Sequence, residues 1–162
     1  MPADERVLAH LAALDIEFEE LECDPALADT KQFCEAYGYP LDRSANTIVV
    51  ASKRPPGVQV ACIALASTRL DVNGLIRKRM GVRKVSFASP DETREVTGME
   101  IGGVTAFGLP PGVPIWVDTE VLDRDWVILG AGTRTAKLRL DPAALHRIDG
   151  LEPVEDLAVS PP

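Results

Sequence analysis

At 162 residues the chain predicts one domain, long enough to bury roughly two thirds of its unfolded surface, and a net charge of −8 argues against a protein that coats nucleic acid, DNA included, through its overall field. It has no run of about 18 apolar residues and no basic-then-apolar leader, so a protein of the cytoplasm without membrane contact is expected. Cys23, Cys34 and Cys62 are odd in number and widely spaced, which fits neither a disulfide framework nor a metal site and reads as three small buried hydrophobes.

In chain order, Val7, Leu8, Leu11 and Leu14 recur at helical spacing and predict a first helix. IEFEELEC alternates as an early strand, with Ile16, Phe18 and Leu21 on one side. DTKQFCEAYG predicts a short helix capped by Asp29 or Thr30 and stopped by Gly38. ANTIVVAS and VQVACIALAS are apolar, β-branched runs joined by the turn-forming KRPPG, hence a hairpin. DVNGLIRKRMG reads as a helix ended by Gly81, VRKVSFA as a strand, and SPDETREVTG as a helix with Ser89 as N-cap. PIWVDTEVL, WVILGAG and AKLRLD predict three more strands, DPAALHRID a last helix, and LEPVEDLAVSPP, residues 151–162, a flexible tail beyond a domain at 1–150. Together these elements predict an α+β fold: a single mixed, barrel-like sheet surrounded by short helices.

Charge is unevenly spread. The first 29 residues carry nine acids and only Arg6, whereas Arg69, Arg77, Lys78, Arg79, Arg83 and Lys84 face the single acid Asp71. Arg77, Lys78 and Arg79 are therefore candidates for contact with RNA phosphates, with a solvated helix face as the alternative.

Much familiar chemistry is absent. His10 and His146 lie about 136 positions apart without ligands at metal spacing, and no Gly-x-Ser-x-Gly elbow exposes a nucleophile. GAGTRT at 130–135 lacks the third glycine of a dinucleotide loop and runs into a strand. What stands out is GMEIGGVTAFGLPPGVP at 98–114, with Gly98, Gly102, Gly103, Gly108 and Gly112. Paired glycines suit close approach to a carbonyl or oxyanion, and equally a bulge or tight corner.

The succession TIVVAS, LDVNGLIRKRMGVRKVSFASPDE, TGMEIGGVTAFGLP, PIWVDTEVL and ILGAGT resembles the YbaK and prolyl-tRNA synthetase-associated domain over roughly residues 4 to 150. IGGVTAFG is close to that family's Gly-Gly-x-Ser-Pro-Phe-Gly loop, with Ala106 at the usual proline. The resemblance implies hydrolysis of a wrongly attached small amino acid from tRNA without metal or cofactor. Gly102 and Gly103 would then lie at the aminoacyl carbonyl, with Thr47, Val104, Thr105, Phe107, Asp118, Gly130 and Gly132 in the substrate pocket. Partners would be the aminoacylated end of a tRNA and a synthetase. The family's usual lysine before Thr-x-x-Val is replaced by Asn46, which joins Gly102 and Gly103 as a candidate catalytic residue. Loss of that charge leaves two expectations open, a trans-editing deacylase or a non-catalytic binder of an aminoacyl-tRNA or amino-acid-like ligand, with Lys53 or Lys137 as the candidate replacement cation.

Overall fold

A computed structural model describes residues 3–161. Helix α1, Glu5–Ala13, starts where the Asp4 carboxylate accepts the Arg6 N–H, and its period buries Val7 and Leu11. Strand β1 is Glu19–Glu22. Helix α2, Thr30–Tyr37, ends on Gly38 at φ 78°, a left-handed C-cap that glycine adopts without Cβ strain. The hairpin expected at KRPPG forms between β2, Ala45–Arg54, and β3, Pro56–Leu65. A short β4, Arg69–Leu70, leads into one π-helical turn at Val72–Ile76, held by Asp71 accepting from the Gly74 and Leu75 N–H groups, and then α3, Arg77–Met80. Strand β5, Lys84–Phe87, is followed by α4, Pro90–Thr97, whose Ser89 and Glu92 make a reciprocal capping box.

Beyond the glycine-rich segment the predicted strand PIWVDTEVL splits. Strand β6 is Ile115–Asp118, and Thr119–Leu122 coils into α5 to bury Val121. Strands β7, Val127–Gly130, and β8, Ala136–Leu140, are as expected. The predicted last helix is a 3-10 helix, Pro142–Arg147. The segment expected to be a flexible tail is instead woven in. Leu151–Val154 is β9, parallel to β6, and Ala158–Val159 is β10, antiparallel to β4. Val154, Leu157 and Ala158 are buried there, so apolar burial holds the segment down.

The fold is mixed α+β, with three sheets. One has the order β5-β2-β3-β6-β9, with β3, β6 and β9 parallel; the second is β1-β8-β7, antiparallel; the third is the pair β10-β4. The barrel expectation does not hold, because among the described residues no sheet closes on itself. Strand alternation divides the core instead. Ala61, Ile63 and Leu65 of β3 face the three-stranded sheet and α1, while Val60, Cys62 and Ala64 face Ile76, Val82 and Leu157. A third cluster, Cys23, Phe33, Cys34 and Ile128, lies under α2. All three thiols are buried, and burial pushes that of Cys62 up to about 12.

The sheet stays open at one place. Strand β5 pairs with β2 only from Val50 onward, and Ile128 of β7 bridges to Ser44, the residue just before β2. Between these contacts the outer edge of residues 45–48 has no strand partner among the described residues.

Candidate functional site

A cavity of about 420 Å³ occupies that gap. Asn46, Thr47, Ile48 and Val49 line it from β2, Asp29, Thr30 and Phe33 from α2 and its cap, and Gly102, Val104, Gly130 and Lys137 from the two glycine loops and β8. Ala88, Pro90 and Thr93 close the side toward α4.

The strand edge presents its own amides. Ser44 C=O accepts from Ala66 N–H at 2.7 Å, on the β3 side, and Val49 C=O accepts from Ala88 N–H at 2.9 Å, on the β5 side. Amide directions alternate along a strand, so Thr47 N–H and C=O point as Val49 does, into the opening. The Thr47 hydroxyl is buried and has no hydrogen-bond partner among the described residues, a polar group that a ligand can satisfy. Asn46 points to the opposite face of the strand, where its Oδ1 accepts from the Thr30 hydroxyl. Its amide N–H₂ is left for the cavity.

Two glycine loops form the opposite wall, packed against each other. Gly132 N–H donates to Gly103 C=O at 2.7 Å. A Cβ on Gly103 would stand 2.3 Å from the Thr133 carbonyl oxygen, and one on Gly130 would stand 2.5 Å from that of Val104. The close approach that requires glycine here is backbone to backbone, between loops. Gly102, at φ 90°, and Gly130 border the cavity; Gly103 and Gly132 stand behind them and do not line it. Arg134 lashes this wall to the chain before α2: it donates to Ile101 C=O at 2.7 Å and Pro25 C=O at 3.0 Å, and pairs with Asp29 at 3.4 Å.

Two lysines line the cavity, Lys31 on α2 and Lys137 on β8, and Lys137 is the buried one. The residue is 5% exposed, and its Nζ donates to Ala28 C=O at 2.6 Å and Gly102 C=O at 2.7 Å. It lies 5.6 Å from the Phe33 ring centroid. Burial pushes its ammonium below the ordinary lysine value. Lys53, the other cation considered, points away to Glu92 at 3.4 Å.

Of the remaining predicted residues, Val104 lines the cavity. Thr105 is buried with an unpartnered hydroxyl, and Phe107 packs edge-on against His10, whose Nδ1 accepts from Gly108 N–H at 2.9 Å. Neither borders the cavity. Asp118 lies away from it on β6, where its Oδ1 accepts from Ala158 N–H at 3.4 Å and Oδ2 has no partner among the described residues. Arg77, Lys78 and Arg79 sit on α3 and do not line it either. Arg79 stacks on Trp116 and pairs with Glu152, while Arg77 bonds back to Asn73 C=O.

Residues 24–148 match the family described as the aminoacyl-tRNA editing domain. The chain belongs to that family. YwhH of Bacillus subtilis (strain 168) is 31% identical to this editing-domain protein over 139 residues, 86% of each chain. A solved structure described as a hypothetical protein shares its fold at a TM-score of 0.81 and 24% identity, over 92% of this chain and 97% of that one. Another, described as a candidate trans-editing enzyme for prolyl-tRNA synthetase, does so at 0.80 and 24%, over 96% of each chain.

Of the residues named from the sequence, Asn46, Thr47, Gly102, Val104, Gly130 and Lys137 meet at one place in this editing domain. Asp29, Thr30, Phe33 and Arg134 join them with no local signal, because burial and lashing depend on segments far apart in sequence. No helix among the described residues is long and apolar enough to cross a membrane.

Proposed function

We propose that the protein is a trans-editing deacylase that hydrolyses a small amino acid wrongly attached to tRNA. The observation that carries this reading is a cavity of about 420 Å³ that joins an unpaired strand edge, a glycine loop and a buried ammonium in a chain of the aminoacyl-tRNA editing domain family. An aminoacyl ester fits that set. Its polar groups find the backbone edge at Thr47 and the ammonium of Lys137, and its side chain finds the apolar walls of Phe33, Val49, Val104 and Leu129. In the reaction, water adds to the ester carbonyl carbon and the bond to the ribose oxygen breaks. That oxygen takes up the proton, leaving free amino acid and tRNA. The ribose hydroxyl beside the ester orients the water, so the protein's task is to bind, exclude solvent and stabilise charge. No metal or cofactor is required, and the acceptor end of tRNA, with a synthetase nearby, is the expected partner.

A second reading, favoured by Asn46, is a non-catalytic binder of an aminoacyl-tRNA or amino-acid-like ligand. The amide lacks the charge of a lysine, and its oxygen already accepts from the Thr30 hydroxyl. Deacylation of tRNAs charged with alanine, cysteine, serine and threonine at near-physiological salt separates the two. Turnover on one or more of them supports the deacylase; stable binding with every ester left intact supports the binder.

A further inference from the structure

We infer that Lys137 docks the acyl oxygen of the ligand, through the one ammonium N–H that no described residue engages. An ammonium has three donors. Two are committed, to Ala28 C=O at 2.6 Å and Gly102 C=O at 2.7 Å. The side chain nevertheless borders the cavity, at 5% exposure, and burying a charge with an unfilled donor is costly unless something completes the set. The two carbonyls also fix the direction of the third N–H, so this donor is aimed before any ligand arrives.

The identity of the group it meets follows from access and sign, and rests on the aminoacyl-tRNA reading. A tRNA is far too large for a cavity of about 420 Å³; only its terminal aminoacyl group reaches a side chain so deeply set. Phosphates stay outside. Within the aminoacyl group the α-ammonium is repelled by Lys137 and is drawn to the unpaired Thr47 carbonyl on the β2 edge. The carbonyl oxygen is the acceptor left to the lysine. A charge-assisted N–H···O bond strengthens as that oxygen gains negative charge. The bond to Gly102 C=O makes the same ammonium hold the glycine wall, so ligand anchoring and loop position depend on one group.

The test uses hydrolysis-resistant probes: adenosine carrying L-alanine or L-serine through an amide at its 3′ position, and the same 3′-amino nucleoside without an acyl group. Binding is measured for the wild type and Lys137→Met, with far-ultraviolet circular dichroism to check folding. The expected result is a drop of about tenfold or more in affinity for both acylated probes, and an unchanged affinity for the bare nucleoside. Equal drops on all three probes would make Lys137 a structural strut and overturn the inference, as would a drop confined to the seryl probe, which would assign the lysine to the side chain. Unchanged affinities in a folded variant overturn it while leaving the deacylase reading intact. Failure of the wild type to bind any probe or charged tRNA overturns both. Should Lys137→Met not fold, reductive methylation of the wild type followed by mass spectrometry replaces it. The alanyl probe should shield Lys137 and the bare nucleoside should not; equal labelling under both would sink the proposal.

Discussion

The carbonyl of Gly103 accepts the N–H of Gly132 at 2.7 Å, 29 positions along the chain. This single bond makes one wall out of two loops, and the packing around it leaves no room for a methyl group.

A substitution at Gly103 therefore acts first on folding. From sequence alone, Gly103→Val would close a pocket and leave the core intact; the 2.3 Å approach to the Thr133 carbonyl says otherwise. Gly103→Ala should cost about 1–3 kcal/mol, the usual range for overpacking a site whose neighbours are backbone. Thermal or urea unfolding measures it. A variant as stable as wild type would mean that the two loops can separate.

Asn46 tests the strand side of the site. Asn46→Ala removes the partner of the Thr30 hydroxyl and the amide facing the cavity, and ligand binding or deacylation should weaken by about 1–3 kcal/mol where that hydrogen bond is buried. Asn46→Lys restores a cation suited to the acceptor end of tRNA and should hold or raise activity. Single-turnover deacylation and melting temperature are read on both. Equal activity in wild type and the alanine variant would remove Asn46 from the site.

Charge reversal addresses the basic segment. Arg79 already has two partners, Trp116 and Glu152, so the informative change is Arg77→Glu with Lys78→Glu. If these side chains displace counterions from phosphates, tRNA affinity should fall and its log–log salt slope should flatten by about one for each phosphate no longer neutralised. An unchanged slope would return α3 to a solvated surface.

Asp118 predicts a dependence on pH. Burial pushes its carboxyl above the usual value of 3.8, so the folded state binds the proton more tightly than the unfolded one. The stability this protonation contributes is full below 3.8 and is lost as pH rises through the folded value. Asp118→Asn keeps an acceptor for Ala158 N–H without the charge. Its melting temperature relative to wild type should therefore be more favourable at pH 7 than at pH 4. The same difference at both values would show that the carboxyl ionises freely.

The hairpin, the N-cap at Ser89 and the stops at Gly38 and Gly81 were legible because each rests on local chemistry: β-branched runs joined by Pro-Pro-Gly, a serine ahead of a proline and acids, and glycine at a helix end. Thr119–Leu122 reads as strand and coils as helix because burying Val121 overrides a short run's propensity. Lys137 illustrates the limit best. In AKLRLD it is an ordinary alternating position, and only the arrival of Ala28 and Gly102 from distant segments turns it inward. Glycine at 102 and 103 signalled close approach without saying to what; the partner of Gly103 proved to be the neighbouring loop.

The packing of α1 against the core and the pairing of β1 and β9 within the sheets bear on what can be excised. A fragment cut to the family span, 24–148, would lose α1, whose Val7 and Leu11 are wholly enclosed. It would also lose β1 from one side of β8 and β9 from one side of β6. Each truncation bares a row of peptide donors and acceptors, a template for association with other copies. The recognisable editing segment is thus smaller than the autonomous folding unit, and expressed alone it should be recovered as aggregate.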